Sequence, residues 1–131
     1  MAREYTQMIE LVGDDIFCTN PAIIAEGIQK NIANAALIKL NQNGTLTGTL
    51  EAMSIARGSG FGTVVSARSG ETMDSFIADL TVGLDCGHLK TGAPARGERV
   101  EKYNQLMRIE RHLGSAATYA GAHCYVRPIR G

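Results

Sequence analysis

The chain has 131 residues, enough for one domain with a real core but only about half the ~250 residues of a complete eight-stranded α/β barrel. Thirteen basic residues balance thirteen acidic ones and aromatics make up 5% of the chain, so the electrostatic footprint of a nucleic-acid or anionic-lipid binder is missing. No stretch is long enough to span a membrane, and three scattered cysteines without a CxxC pair argue for reduced thiols, which together predict a cytoplasmic protein of a single domain, 1–131.

The first apolar run is Ile9 to Gly13, closed by Asp14-Asp15. Adjacent carboxylates before a loop suit turn chemistry and a metal ligand equally well. Asn20-Pro21 then offers a helix N-cap followed by proline at the first helical position, with Ile24, Ile28 and Ile32 on the inward stripe.

The second run ends Leu37-Ile38-Lys39-Leu40. An ammonium among these apolar residues has to reach water or a counter-charge, either as a snorkelling strand-end lysine or as a functional group. The helix after it is expected to bury Leu46, Leu50 and Met53.

The third run, Thr63 to Ala67, leads into Arg68-Ser69-Gly70-Glu71-Thr72. A cation followed by a glycine-containing turn into a helix start is either an anion cradle or an ordinary cap with an exposed arginine. Phe76, Ile77 and Leu80 belong to that helix.

The fourth run, His88 to Gly92, carries Lys90, with His88 two residues earlier on the same side of the strand. The longest helical pattern follows, with Val100, Tyr103, Met107 and residues 110–113 over about four turns. The tail from Ser115 has no clear period.

Four strand-like runs at intervals of roughly 26 residues, each followed by helical periodicity, predict repeated βα units on a parallel sheet. In such folds, chemistry collects where strands end. Here those positions are Asp14-Asp15, Lys39, Ala67-Arg68-Ser69 and Lys90.

The blocks LVGDDIFCTNP, ALIKLNQNGTLT, VVSARSGET and LKTGAPARGERVEKYNQLMRIE resemble enolase, in order and spacing, from about Leu11 to Gly114. The resemblance implies an α/β fold, half of a (β/α)8 TIM-type barrel made of four parallel units equivalent to strands 5 to 8. It also implies a lyase reaction, Mg2+-dependent conversion of 2-phosphoglycerate to phosphoenolpyruvate. By the same resemblance Asp14 is a magnesium ligand, Lys39 the base at C2, Arg68 and Ser69 phosphate contacts, and Lys90 a substrate-carboxylate contact.

Two departures temper that reading. Ala67 stands where the family carries an active-site histidine, and a methyl group can neither hydrogen-bond nor move a proton. The other metal carboxylates and the general acid lie in parts of the family that this sequence does not contain, so the chain alone is expected to be inactive. His88 either replaces the missing histidine or is hydrogen-bonded within the barrel.

Asn43, Gly48 and Met73 also depart from the usual Ile, Glu and Glu. Open strand edges predict a homo-oligomer or a complementing N-terminal enolase-like chain, and the ligand expected is a phosphorylated small-molecule carboxylate. The alternatives are a non-catalytic anion-binding or protein-interaction module and a half-site for another phosphorylated or phosphono carboxylic acid.

Overall fold

A computed structural model describes residues 2–126, with side chains from Glu4 onward. Its elements are α1 (Ala2–Tyr5), β1 (Val12–Gly13), α2 (Pro21–Lys30), β2 (Ala35–Ile38), α3 (Leu40–Asn43), α4 (Leu46–Gly58), β3 (Gly62–Ser66), α5 (Phe76–Gly83), β4 (His88–Lys90) and α6 (Gly97–Leu113). All four strands are parallel and lie in the order β1-β2-β3-β4, as the βα alternation predicts, and this is the half-barrel arrangement that the resemblance implies.

Side chains alternate between the two faces of the sheet. Ala36, Ile38 and Val65 point toward the helices and join Phe17, Ile24, Ala52, Met53, Ala56, Ile77 and Leu80 in one core. The opposite, inner face carries Lys39, Ser66 and Lys90 at the strand ends and Gly62 and His88 at the strand starts, by the same register.

That inner face is concave. Four strands at about 4.8 Å spacing separate the outer pair by roughly 14 Å in a flat sheet. Yet Glu10, just before β1, reaches His88 on β4 with 3.4 Å between Oε1 and Nδ1.

β1 is shorter than the run Ile9 to Gly13 suggests, because Asn34 replaces the ladder there. Its side-chain oxygen accepts from Leu11 N at 2.7 Å, and its amide donates to the carbonyls of Thr6 and Ile9, each at 2.9 Å. A buried side chain thus satisfies backbone groups that a longer strand would have paired.

α2 begins as predicted, with the Asn20 side chain accepting from Ala22 and Ile23 and Pro21 at the first position. It stops at Lys30 because Asn31 turns left-handed, with φ 52°, which leaves Ile32 outside the helix and exposed.

The inward stripe of α4 differs from the expected one: Thr49, Ala52, Met53 and Ala56 are buried, while Leu46 and Leu50 are exposed. Small residues win because α4 packs between α2 and the sheet, where little volume is left. α5 also starts later than Ser69-Gly70-Glu71-Thr72 implies. Thr72 and Asp74 bond forward to the backbone N–H groups of Asp74 and Phe76, and these local turns delay the helix to Phe76.

Among the described residues no helix is long and apolar enough to cross a membrane. The tail forms 3-10 turns at Gly114–Ala116 and Gly121–Cys124 and returns to the sheet, where Val126 N donates to Glu10 Oε2 at 3.1 Å.

Candidate functional site

Lys39 directly follows β2 on the side of the inner face, and its side chain is only 9% exposed. The ammonium finds its counter-charges on the loop after β1, with Asp14 Oδ1 at 2.5 Å and Asp15 Oδ1 at 3.5 Å. Of the two readings of this lysine, burial with paired carboxylates replaces the solvated, snorkelling one.

The loop that presents those carboxylates is held in a strained form. Cys18 and Thr19 both have positive φ, 47° and 51°, unusual outside glycine and costly for a branched side chain such as threonine. Thr19 is fully buried and offsets that cost: its hydroxyl accepts from Lys39 N at 2.9 Å and bonds Gln42 Oε1 at 2.9 Å. Gln42 donates in turn to Asp15 at 3.1 Å, and Asn43 to the Thr19 carbonyl at 3.1 Å. One network therefore joins Asp15, Thr19, Lys39, Gln42 and Asn43.

Arg68 follows β3, where its guanidinium donates to Asn41 at 3.2 Å and its backbone N–H to Glu71 Oε1 at 2.9 Å. Arg68 and Ser69 are exposed. The expected support from a helix N-terminus is absent, since α5 begins at Phe76; the loop is anchored instead by a buried cation. Lys102 of α6, fully buried, donates to the carbonyls of Thr72 and Glu98 at 2.7 Å and pairs with Glu71 Oε2 at 3.0 Å. Glu71 thus links Lys102 to the backbone of Arg68.

Lys90 is exposed at the end of β4, in register with Ser66, and its carbonyl accepts from Ala67 N at 2.9 Å. The strands thus bring Asp14, Lys39, Arg68 and Lys90 to one rim. Ala67 packs its methyl against the helix-side core. His88 lies at the opposite end of the inner face, bonded to Cys124 and facing Glu10, and so does not stand in for a rim histidine.

Lys102, Thr19 and Gln42 were missed by reading the sequence. A signal existed for Lys102, which shares one helical face with Leu106 and Ile109 at spacings of four and seven. Thr19 offered none, because its role depends on a left-handed backbone.

Among the described residues no group of three or more His, Cys, Asp or Glu side chains could hold a metal ion. Asp14 faces an ammonium, and Asp15 is 83% exposed. A single carboxylate already paired with a lysine is a poor magnesium site, so these residues do not fit the ion by themselves.

Residues 1–127 match the family model described as the enolase C-terminal TIM barrel domain. Enolase 2 of Methanospirillum hungatei JF-1 is 60% identical over 125 residues, covering 95% of this chain and 29% of that protein. Enolase 2 of Pseudomonas syringae pv. syringae is 64% identical over 119 residues, 91% of this chain and 28% of that protein. For the enolase of Mycobacterium leprae the identity is 59% over 123 residues, covering 94% and 29%. The chain therefore spans less than a third of the length of these relatives.

Proposed function

The chain belongs to the enolase family, and from that premise we propose that its rim is the proton-abstracting half of an enolase-type lyase site. The ligand is a phosphorylated small-molecule carboxylate, in the family reaction 2-phosphoglycerate. Lys39 is the base for the proton at C2, Lys90 binds the substrate carboxylate, and Arg68 with Ser69 binds phosphate. The observation that carries this reading is the burial of Lys39 at a strand end against Asp14, on the same rim as Arg68 and Lys90.

A proton α to a carboxylate is weakly acidic, and the dianionic intermediate needs cations placed around it in advance. Arg68 and Lys90 supply part of that charge. Mg2+, implied by the resemblance with Asp14 as one ligand, needs carboxylates from beyond this chain. They come from a second copy or from an N-terminal enolase-like segment that closes the barrel, in a cytoplasmic assembly of which residues 1–131 form one domain.

Lys39 is engaged by two carboxylates of its own chain, and Ala67 supplies no proton-transfer group. Both observations favour a chain that is inactive alone, and they also support a second reading as an anion-binding module. Phosphoenolpyruvate formation, followed by absorbance in excess Mg2+, separates the two. We expect no turnover from the chain alone or from Ala67→His alone, and turnover when Ala67→His is combined with an N-terminal enolase fragment. Loss of that gain in Lys39→Ala supports the lyase reading. Phosphoenolpyruvate binding without turnover in any combination supports the anion module, and turnover by the unmodified chain alone refutes the incomplete half-site.

A further inference from the structure

At the far end of the inner face from the rim, three segments bring together a thiol, an imidazole and a carboxylate. Cys124 Sγ lies 2.8 Å from His88 Nε2, and His88 Nδ1 lies 3.4 Å from Glu10 Oε1. Glu10 is 8% exposed at its side chain and His88 16%, so this polar group is largely shielded from water. Tyr125 packs edge-on against the imidazole with ring centroids 4.6 Å apart, which fixes the ring plane.

The tail is seated there by two glycines. A Cβ at Gly62 would lie 2.6 Å from Val126 Cγ2, and one at Gly87 2.6 Å from Cys124 Cβ; real side chains essentially never approach so closely. Cys124 is half-buried and lines a cavity of about 380 Å³ together with Arg57, Phe61, His123 and Tyr125. A nucleophile within hydrogen-bond reach of a base, and a base facing a third group, is the arrangement that activates a thiol.

We propose that Cys124 is a reactive thiol, served by His88 as base and Glu10 as the group that orients it, which takes small disulfides by thiol–disulfide exchange in this cavity. The site is independent of the Lys39 rim. The Cys124 sulfur attacks one sulfur of the incoming disulfide, a new S–S bond forms, and the old one breaks. The thiol proton passes to His88 Nε2 and from there to the departing thiolate, so one mixed disulfide and one free thiol result and no further oxidant is needed. While the imidazolium exists, the Glu10 carboxylate faces it across 3.4 Å. The thiol also lies 2.9 Å from the Gly121 carbonyl, so its hydrogen has a resting acceptor and reaches Nε2 by rotation about the C–S bond alone.

The other two cysteines make the test internal. Cys18 is exposed, with the Asp15 carbonyl at its sulfur, while Cys86 is buried and its thiol is pushed up in pKa by that burial. Exposure alone would rank Cys18 ahead of Cys124. With oxidised glutathione as the probe and peptide mass spectrometry as the readout, the proposal requires Cys124 to form the mixed disulfide first in the unmodified chain. His88→Gln should slow Cys124 about a hundredfold, the scale of a lost general base, and leave Cys18 unchanged. Glu10→Gln should slow it less. Faster labelling of Cys18 in the unmodified chain overturns the proposal, and so does a Cys124 rate that His88→Gln leaves unchanged relative to Cys18. Loss of the far-ultraviolet circular dichroism signal reports a variant that has lost its fold; the decision then rests on Glu10→Gln and on the order of labelling in the unmodified chain.

Discussion

Gly48 sits against the side-chain amide of Asn43: a Cβ at position 48 would fall inside contact distance of Asn43 Oδ1, the nearest of three amide atoms it would meet. The two unusual residues are therefore one feature. The missing side chain on α4 makes room for the amide that donates to the Thr19 carbonyl and so steadies the loop of Asp14 and Asp15. A glycine inside a helix costs about 1 kcal/mol relative to alanine, so Gly48→Ala would ordinarily stabilise. Here we expect it to lower Tm, and to raise Tm once Asn43→Ala has removed the obstructing amide. Equal Tm changes from Gly48→Ala in both backgrounds would disprove the coupling.

Lys102→Met should destabilise the chain by about 3 kcal/mol, since it leaves Glu71 without its buried counter-charge. Because Glu71 also accepts from Arg68 N, the variant should weaken phosphate binding more than a helix substitution of equal destabilisation far from the loop. Calorimetry at a temperature where both variants are folded makes the comparison. Equal phosphate affinity in the two would show that Lys102 is purely structural.

Lys39→Met should leave Asp14 facing an apolar side chain and lose most phosphoenolpyruvate binding. The double variant Lys39→Met, Asp14→Asn should regain stability but not binding, because a half-exposed carboxylate left without its cation is what destabilises while the positive charge on the rim favours the anion. Recovery of binding in the double variant would show that the charge of Lys39 is not needed to hold the anion.

Among the described residues the outer strands β1 and β4 each leave one edge unpaired, and such edges pair readily with another polypeptide. We expect light scattering to find an assembly larger than a monomer at micromolar concentration. A stable monomer would count against it. The edges are only two and three residues long, shorter than the runs in the sequence suggest, so that assembly should dissociate on dilution.

Cys86 offers a pH test. Burial raises its pKa, and this outweighs the opposing Thr63 hydrogen bond and the Arg57 charge. The folded state then holds the proton more tightly than the unfolded one. Its stability is intact below the ordinary thiol pKa and falls as pH rises from there through the folded value. Thermal melts in mildly alkaline buffer should show that decline, and Cys86→Ala, whatever its Tm near neutrality, should show less of it. An identical alkaline slope in the variant would assign the decline to other groups.

The four strands, the Asn20 cap and the convergence of Asp14, Lys39, Arg68 and Lys90 were legible in the sequence because each rests on local periodicity or on a strand end. The inward stripe of α4 was not, since the space beside α2 favours Thr49, Ala52 and Ala56 over the larger Leu46 and Leu50. Nor was the start of α5, set by side-chain bonds from Thr72 and Asp74 rather than by pattern. Long-range partners such as Glu71 with Lys102, or Glu10 with His88 and Cys124, have no sequence period to reveal them.

The gap at Gly62 makes the tail a gauge of strand alignment. Sliding β3 by one residue would exchange its two faces, turning Gly62 toward the helices and presenting Thr63 to Val126 instead. The same slip would carry Ser66 and Arg68 off the rim. Only a correctly aligned β3 therefore accepts the tail, and resistance of the segment around Tyr125 to protease reports, from one end of the sheet, whether the other end has been assembled.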